Sequence, residues 1–158
     1  ALSRVVGLFS QRGYNIDSLS VAPTQDPTLS RLTMTTSENP EIINQILRQL
    51  YKLVDVVMVQ NLSDAEAYSI ELAIIKLVSS REKIEKIISQ AKELEGNILD
   101  DKDDHIMFEI WGDSADIDAL LASLKEEEFI EVTRSGLLGM TKGNVALNTN
   151  DQTKISYD

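Results

Sequence analysis

The feature that most constrains the fold is a succession of hydrophobic periods that runs through the chain twice. Leu2, Val5, Val6 and Phe9 recur at helical spacing, and Gly13 stands where a helix C-terminal cap belongs. This predicts an amphipathic helix over about 1–12. Ser18 to Thr24 then alternates through Leu19 and Val21, which predicts a strand, and Asp26-Pro27-Thr28 is turn chemistry. Leu29 to Thr36 alternates again, with Leu32 and Met34 on one face and Arg31, Thr33 and Thr35 on the other. Asn39-Pro40 pairs an N-cap with proline at the first helical position, ahead of a stripe of Ile43, Ile46, Leu47, Leu50 and Leu53. Val54 to Val59 is rich in β-branched residues and reads as a strand. The order is αββαβ.

Residues 61–67 are small and polar, as in a linker. The pattern then returns. Ile70 to Val78 reads as an apolar strand. Ser79 or Ser80 can cap a helix that carries Ile84, Ile87, Ile88, Ala91 and Leu94 and ends at Gly96. Asn97-Ile98-Leu99 and Ile106 to Trp111 read as strands. Ser114 is placed to cap a helix with Ile117, Leu120, Leu121 and Leu124, and Phe129 to Thr133 closes the series. This order is βαββαβ.

The chain is thus expected to be α+β: two split β-α-β units in tandem, each an antiparallel sheet with two helices on one face. Their expected limits are 1–62 and 68–139. The first unit lacks its leading strand, which in this topology is central. A short upstream segment is the expected explanation, and without that strand the unit should expose apolar surface. From residue 140 to 158 the text has no period and little apolar content, and a mobile tail is expected.

Composition excludes several function classes. With no cysteine among 158 residues, disulfides, thiolate catalysis and cysteine zinc sites are removed together. The formal net charge is −11, and the acid is concentrated: six basic and eight acidic side chains fall within residues 1–78, nine and eighteen within 79–158. Such a surface repels a phosphate backbone and an anionic membrane. No apolar run approaches the roughly 20 residues of a membrane span, and no signal-peptide pattern opens the chain. A cytoplasmic location is the default expectation.

A catalytic constellation is not visible either. The single histidine, His105, follows Asp100-Asp101-Lys102-Asp103-Asp104. A divalent cation is conceivable there, but the run lacks the glycine and distal glutamate of a calcium loop, so a solvated hairpin turn is the better reading. No G-x-S-x-G elbow or phosphate-binding loop occurs; Gly136 and Gly139 merely flank Leu137-Leu138. Glu126-Glu127-Glu128 reads as solvated surface because sequence neighbours do not face one another on a helix. Trp111, at a strand end, reads as an edge or core packing residue. The expectation is therefore no catalytic residue and no metal site.

The informative segment is Gly13-Tyr14-Asn15-Ile16-Asp17-Ser18, just after the first helix. Taken alone, Asn15 reads better as a turn residue than as a ligand group. Its amide nevertheless offers donors and an acceptor. The start of the first helix, near Ala1-Leu2-Ser3, offers unpaired N–H groups that favour an anion. A small amino acid between such a helix start and Asn15 would have both charges met. Leu2 and Ile16 would suit an aliphatic side chain.

Residues 1–24, from Ala-Leu-Ser-Arg-Val-Val-Gly-Leu-Phe-Ser through Gly-Tyr-Asn-Ile-Asp-Ser-Leu-Ser-Val-Ala-Pro-Thr, closely resemble the regulatory subunits of acetohydroxyacid (acetolactate) synthases. Thr28-Leu29-Ser30-Arg31-Leu32-Thr33, Gln49 to Val56 and Glu131-Val132-Thr133-Arg134-Ser135-Gly136 extend the resemblance over about 1–140. It implies an ACT domain of ferredoxin-like βαββαβ fold followed by a second α/β domain. It implies no catalysis in this chain. The partner implied is a catalytic subunit carrying thiamine diphosphate, magnesium and FAD, which the regulatory chain activates and makes sensitive to a branched-chain amino acid, usually valine. The effector would bind where two ACT domains of a homodimer meet. By this resemblance Leu2 and Ser3 match the helix start of the effector pocket, Asn15 and Ile16 match its turn, and Ala22 lies on the following strand. A plastid location would follow for a plant or algal chain.

Two other classes compete. A stand-alone ACT-type amino-acid sensor of another enzyme or transcription system shares the same physics, and a pull-down of the catalytic subunit separates the two. A ferredoxin-like RNA-binding module needs basic strand faces with aromatics for stacking. The strands here offer Leu19, Val21, Leu32 and Met34.

Overall fold

The structure, a computed structural model, describes residues 1–124, 128–144 and 146–147. Contacts group the chain into two compact units: Ala1–Leu19 with Met34–Tyr68 and the described residues from Gly139 onward, and Ser20–Thr33 with Ser69–Leu138.

The first unit opens with α1 (Leu2–Arg12), which buries Val5 and Phe9 and ends at Gly13 in the left-handed conformation, φ 69°. That conformation is why glycine serves there. Next in sequence comes the hairpin β1 (Ser18–Pro23) and β2 (Ser30–Thr35), whose residues Ser20–Thr33 group with the second unit and whose turn is closed where Asp26 accepts from the Thr28 N–H at 2.9 Å. In α2 (Pro40–Tyr51) the Asn39 side chain caps the Ile42 N–H, and Ile46, Leu47 and Leu50 are buried.

Val54–Val59, expected as a strand, is not one. β-Branched residues favour extended backbone, but a strand needs a neighbour to complete its ladder. Among the described residues no strand pairs with this segment, and β1 and β2 form a sheet of two. The segment is tethered instead by Tyr51, whose hydroxyl donates to the Val59 carbonyl at 2.9 Å. Val54 is 88% exposed and Val57 54%.

The second unit follows the expected order: β3 (Ala67–Val78), α3 (Arg81–Glu93), β4 (Asn97–Asp101), β5 (His105–Gly112), α4 (Ser114–Ser123) and β6 (Glu128–Arg134). Its antiparallel sheet runs β4-β5-β3-β6, so the first strand of the unit is central. That order, with both crossovers made by helices, is the ferredoxin-like arrangement. A further strand, β7 (Leu138–Thr141), pairs with β3. No strand was expected beyond residue 139, because four residues are too few to show a period. Residues 148–158 lie outside the described residues, as do Glu126 and Glu127.

Strand alternation builds the core. Ala73, Ile75 and Leu77 of β3 and Ile106, Phe108 and Ile110 of β5 share one sheet face. Ile84, Ile87 and Ala91 of α3 and Ile117 and Leu120 of α4 cover it, with Leu124 just beyond α4.

Two helix boundaries differ from expectation. Ser114 does not cap α4; the Asp113 carboxylate does, accepting from the Asp116 N–H at 3.0 Å. The left-handed residue after α3 is Glu95, φ 57°, not Gly96. Gly96 is required for another reason: a Cβ there would lie 2.7 Å from the Ala91 carbonyl oxygen and 2.8 Å from that of Glu109. Both obstacles are backbone, so α3 and β5 would have to separate. Gly96→Ala is expected to destabilise the second unit by about 1–3 kcal/mol, read from the urea midpoint of the fluorescence of Trp111, the only tryptophan.

No helix among the described residues is long and apolar enough to cross a membrane.

Candidate functional site

The expected site residues of the first unit fall mainly on α1 and the turn that follows it. The amphipathic period of α1 turns Val5 and Phe9 inward and leaves Leu2 43% and Val6 40% exposed. Ser3 is exposed as well. No side chain caps the start of this helix; the Ala1 carbonyl accepts from the N–H groups of Arg4 and Val5. Close by, Asp55 pairs with Arg4 at 3.3 Å, with its Oδ2 3.7 Å from the Ala1 nitrogen.

At the other end, Phe9 meets Tyr14 edge-on, ring centroids 5.7 Å apart. This fixes the departure of the chain into the Asn15 turn. Three bonds hold Asn15: its N–H donates to Glu38 Oε1 at 3.1 Å, its carbonyl accepts from Thr36 Oγ1 at 2.7 Å, and its Nδ2 donates to Asp17 Oδ1 at 2.6 Å. Asp17 also accepts from Ser37 Oγ, and its N–H donates to the Thr35 carbonyl at 2.9 Å. The Asn15 side chain is exposed, and Ile16 beside it is half-buried. The amide is therefore held at the surface with its Oδ1 directed away from that pairing.

Of the expected site residues, Asn15 and Ile16 share this turn, whereas Leu2 and Ser3 begin the helix. Leu2 and Ser3 are the first two residues of α1, so the remaining helical residues up to Arg12 separate the two groups, a rise of about 14 Å at 1.5 Å per residue. Ala22 is exposed on β1, in the part of the hairpin that groups with the second unit. Sequence reasoning missed Asp17, Glu38 and Thr36 as the framework of Asn15, and Asp55 beside the helix start. Glu38 and Asp55 are distant in sequence from what they touch, so no local pattern marked them.

At the β4–β5 turn, His105 lies between Asp100 and Asp104, 2.9 Å from each. Among the described residues no group of three His, Cys, Asp or Glu side chains could hold a metal ion. Trp111 stands opposite Leu72 of β3 and is 45% exposed, an exposed packing position.

Comparison with known proteins agrees with this layout. Residues 1–58 match the family model described as the AHAS small subunit-like ACT domain, and residues 70–143 match that described as small subunit of acetolactate synthase. The acetolactate synthase isozyme 3 small subunit of Salmonella typhimurium is 43% identical over 145 residues, 91% of this chain and 89% of the relative. The acetolactate synthase small subunit of Haemophilus influenzae is 44% identical, covering 90% of this chain and 88% of the relative. The crystal structure of the acetolactate synthase small subunit from Thermotoga maritima superposes with a TM-score of 0.79 at 31% identity, over 91% of this chain and 90% of that one. Fold and matches together define an ACT domain followed by a second ferredoxin-like domain. The chain belongs to the family of acetolactate synthase small subunits.

Proposed function

We propose that this chain is a non-catalytic regulatory partner of an acetolactate synthase catalytic subunit, raising its activity and making it sensitive to a branched-chain amino acid, valine first among the candidates. The chemistry, with thiamine diphosphate, magnesium and FAD, belongs to the catalytic partner. The effector lies between the ACT domains of two copies of the chain. One observation carries this arrangement: within one copy, the rest of α1 stands between Leu2 and Ser3 and the turn of Asn15 and Ile16, a helix rise of about 14 Å. A single small zwitterion cannot touch both groups of one chain, but it can touch the helix start of one copy and the turn of another.

In this reading the effector carboxylate meets the start of α1, where the helix dipole favours an anion. Arg4, paired with Asp55, keeps that end from carrying an unbalanced negative charge. The ammonium is received by the Asn15 amide oxygen, and the aliphatic side chain by Leu2 and Ile16. Ala22 contributes only the wall of β1. The effector shifts the catalytic partner solely through its different affinity for two arrangements of the ACT pair.

Isothermal titration of the reconstituted complex with valine, leucine and isoleucine tests this. Asn15→Ala is expected to weaken effector binding by about 1–2 kcal/mol, or roughly 5- to 30-fold, while activation of the catalytic subunit persists. Full inhibition by the variant complex would overturn the pocket assignment. Failure of the wild-type chain to retain the catalytic subunit in a pull-down would overturn the partnership.

A further inference from the structure

We propose that the β4–β5 turn is a proton-operated clasp, closed while the His105 ring carries two protons and released when it loses one. The backbone of the turn is joined where the Lys102 N–H donates to the His105 carbonyl at 3.0 Å. Its side chains are joined by the imidazole. Nε2 lies 2.9 Å from Asp100 Oδ2, and Nδ1 lies 2.9 Å from Asp104 Oδ1. Ionised carboxylates only accept hydrogen bonds, and a neutral imidazole has one N–H to give. The neutral ring can therefore serve one aspartate, and its other nitrogen then sets a lone pair against the second. Only the imidazolium satisfies both.

The charged groups around the ring favour that form. Asp100 and Asp101 come from β4, and Lys102, Asp103 and Asp104 from the turn itself. From α3, Arg81 grips Asp101 with two nitrogens and also donates to the Lys102 carbonyl at 3.2 Å; Glu85 lies behind it. On β3 the residue opposite His105 is the neutral Val78, and Lys76 stands opposite Met107. In the register of β6, Glu128 stands opposite Val78. The hydrogen bonds to Asp104 and then Asp100 hold the His105 pKa above its ordinary value near 6.5. His105 in turn helps to hold Asp104 below the usual carboxylate range. A folded-state pKa raised above the unfolded one means a contribution that is complete below about pH 6.5 and lost as pH rises through the folded value. Arg81 stays charged throughout, so the turn keeps its anchor to α3 while its own closure is lost. The Ser79 N–H, which donates to the Asp104 carbonyl at 3.1 Å, places the residue preceding the α3 cap within reach of the change.

With a single histidine in the chain, nitrogen NMR of the imidazole in the full-length protein reads the clasp without assignment work. The expected midpoint lies above 6.5, and Asp100→Asn with Asp104→Asn is expected to lower it. The Lys102 amide, corrected for intrinsic exchange, should lose protection several-fold between pH 6 and pH 8.5, and His105→Gln should flatten that profile. A midpoint at or below 6.5, no shift in the double variant, or a Lys102 profile indifferent to His105→Gln would each overturn the proposal.

Discussion

Arg134→Leu is expected to destabilise the second unit by about 3 kcal/mol, the low end for breaking a buried ion pair, because a third of the Arg134 side chain reaches solvent. Glu71 is 2% exposed, on the helix-covered face of β3 in phase with Ala73, Ile75 and Leu77. Its carboxylate receives the Arg134 Nε on one oxygen and Ser114 Oγ, at 3.1 Å, on the other. Arg134 also reaches Asp118 of α4 at 2.6 Å. One guanidinium thus joins β3, β6 and α4. Without it a buried negative charge keeps a single hydroxyl as partner. Urea unfolding followed by Trp111 fluorescence should show a lower midpoint with an unchanged slope. Adding Glu71→Leu should recover much of the loss, since the buried charge is then removed as well. If the single and double variants are equally unstable, the loss comes from packing around Arg134 rather than from the stranded carboxylate.

Phe108→Ala is expected to cost about 3–5 kcal/mol. Phe108 is fully buried, opposite Ile75 on β3 and Ile98 on β4, at the centre of the layer that α3 and α4 cover. Typical domain stabilities are about 5–15 kcal/mol, so a unit of this size is expected to lose most of its margin. Circular dichroism and Trp111 fluorescence should show an early, broadened thermal transition in the alanine variant. Phe108→Leu, which restores much of the volume, should cost no more than about 1.5 kcal/mol. Equal losses for leucine and alanine would mean that the ring shape, not filled volume, governs this core.

The elements that were legible in the sequence are those whose signal is local. Ten segments, from α1 to β6, declared themselves through apolar period or β-branched composition, and Gly13, Asn39 and Ser80 marked helix ends through backbone chemistry. The mistaken strand at Val54–Val59 shows the limit of that signal: propensity is a property of the segment, pairing a property of its neighbour. Ser114 and Asp113 are both good caps in sequence, and the choice falls to Asp113 because Glu71, 43 residues away, takes the Ser114 hydroxyl. Glu71 itself carried a readable clue, a charge in phase with the apolar face of its strand, whose partner Arg134 lies 63 residues on. The Asn15 turn was singled out by its residue chemistry and matched to a pocket by chain resemblance; its framework of Thr36 and Glu38 became visible only once β2 had folded back beside it.

The rigid rod between Ser3 and Asn15 also sets the order of the response in chain concentration. On the proposed reading an isolated molecule is deaf to the amino acid, and sensing begins with the encounter of two. By reciprocity, the amino acid must then tighten that encounter by the factor by which the encounter tightens the amino acid's hold. Dilution should therefore silence inhibition before it silences the chemistry, and added amino acid should postpone the silence.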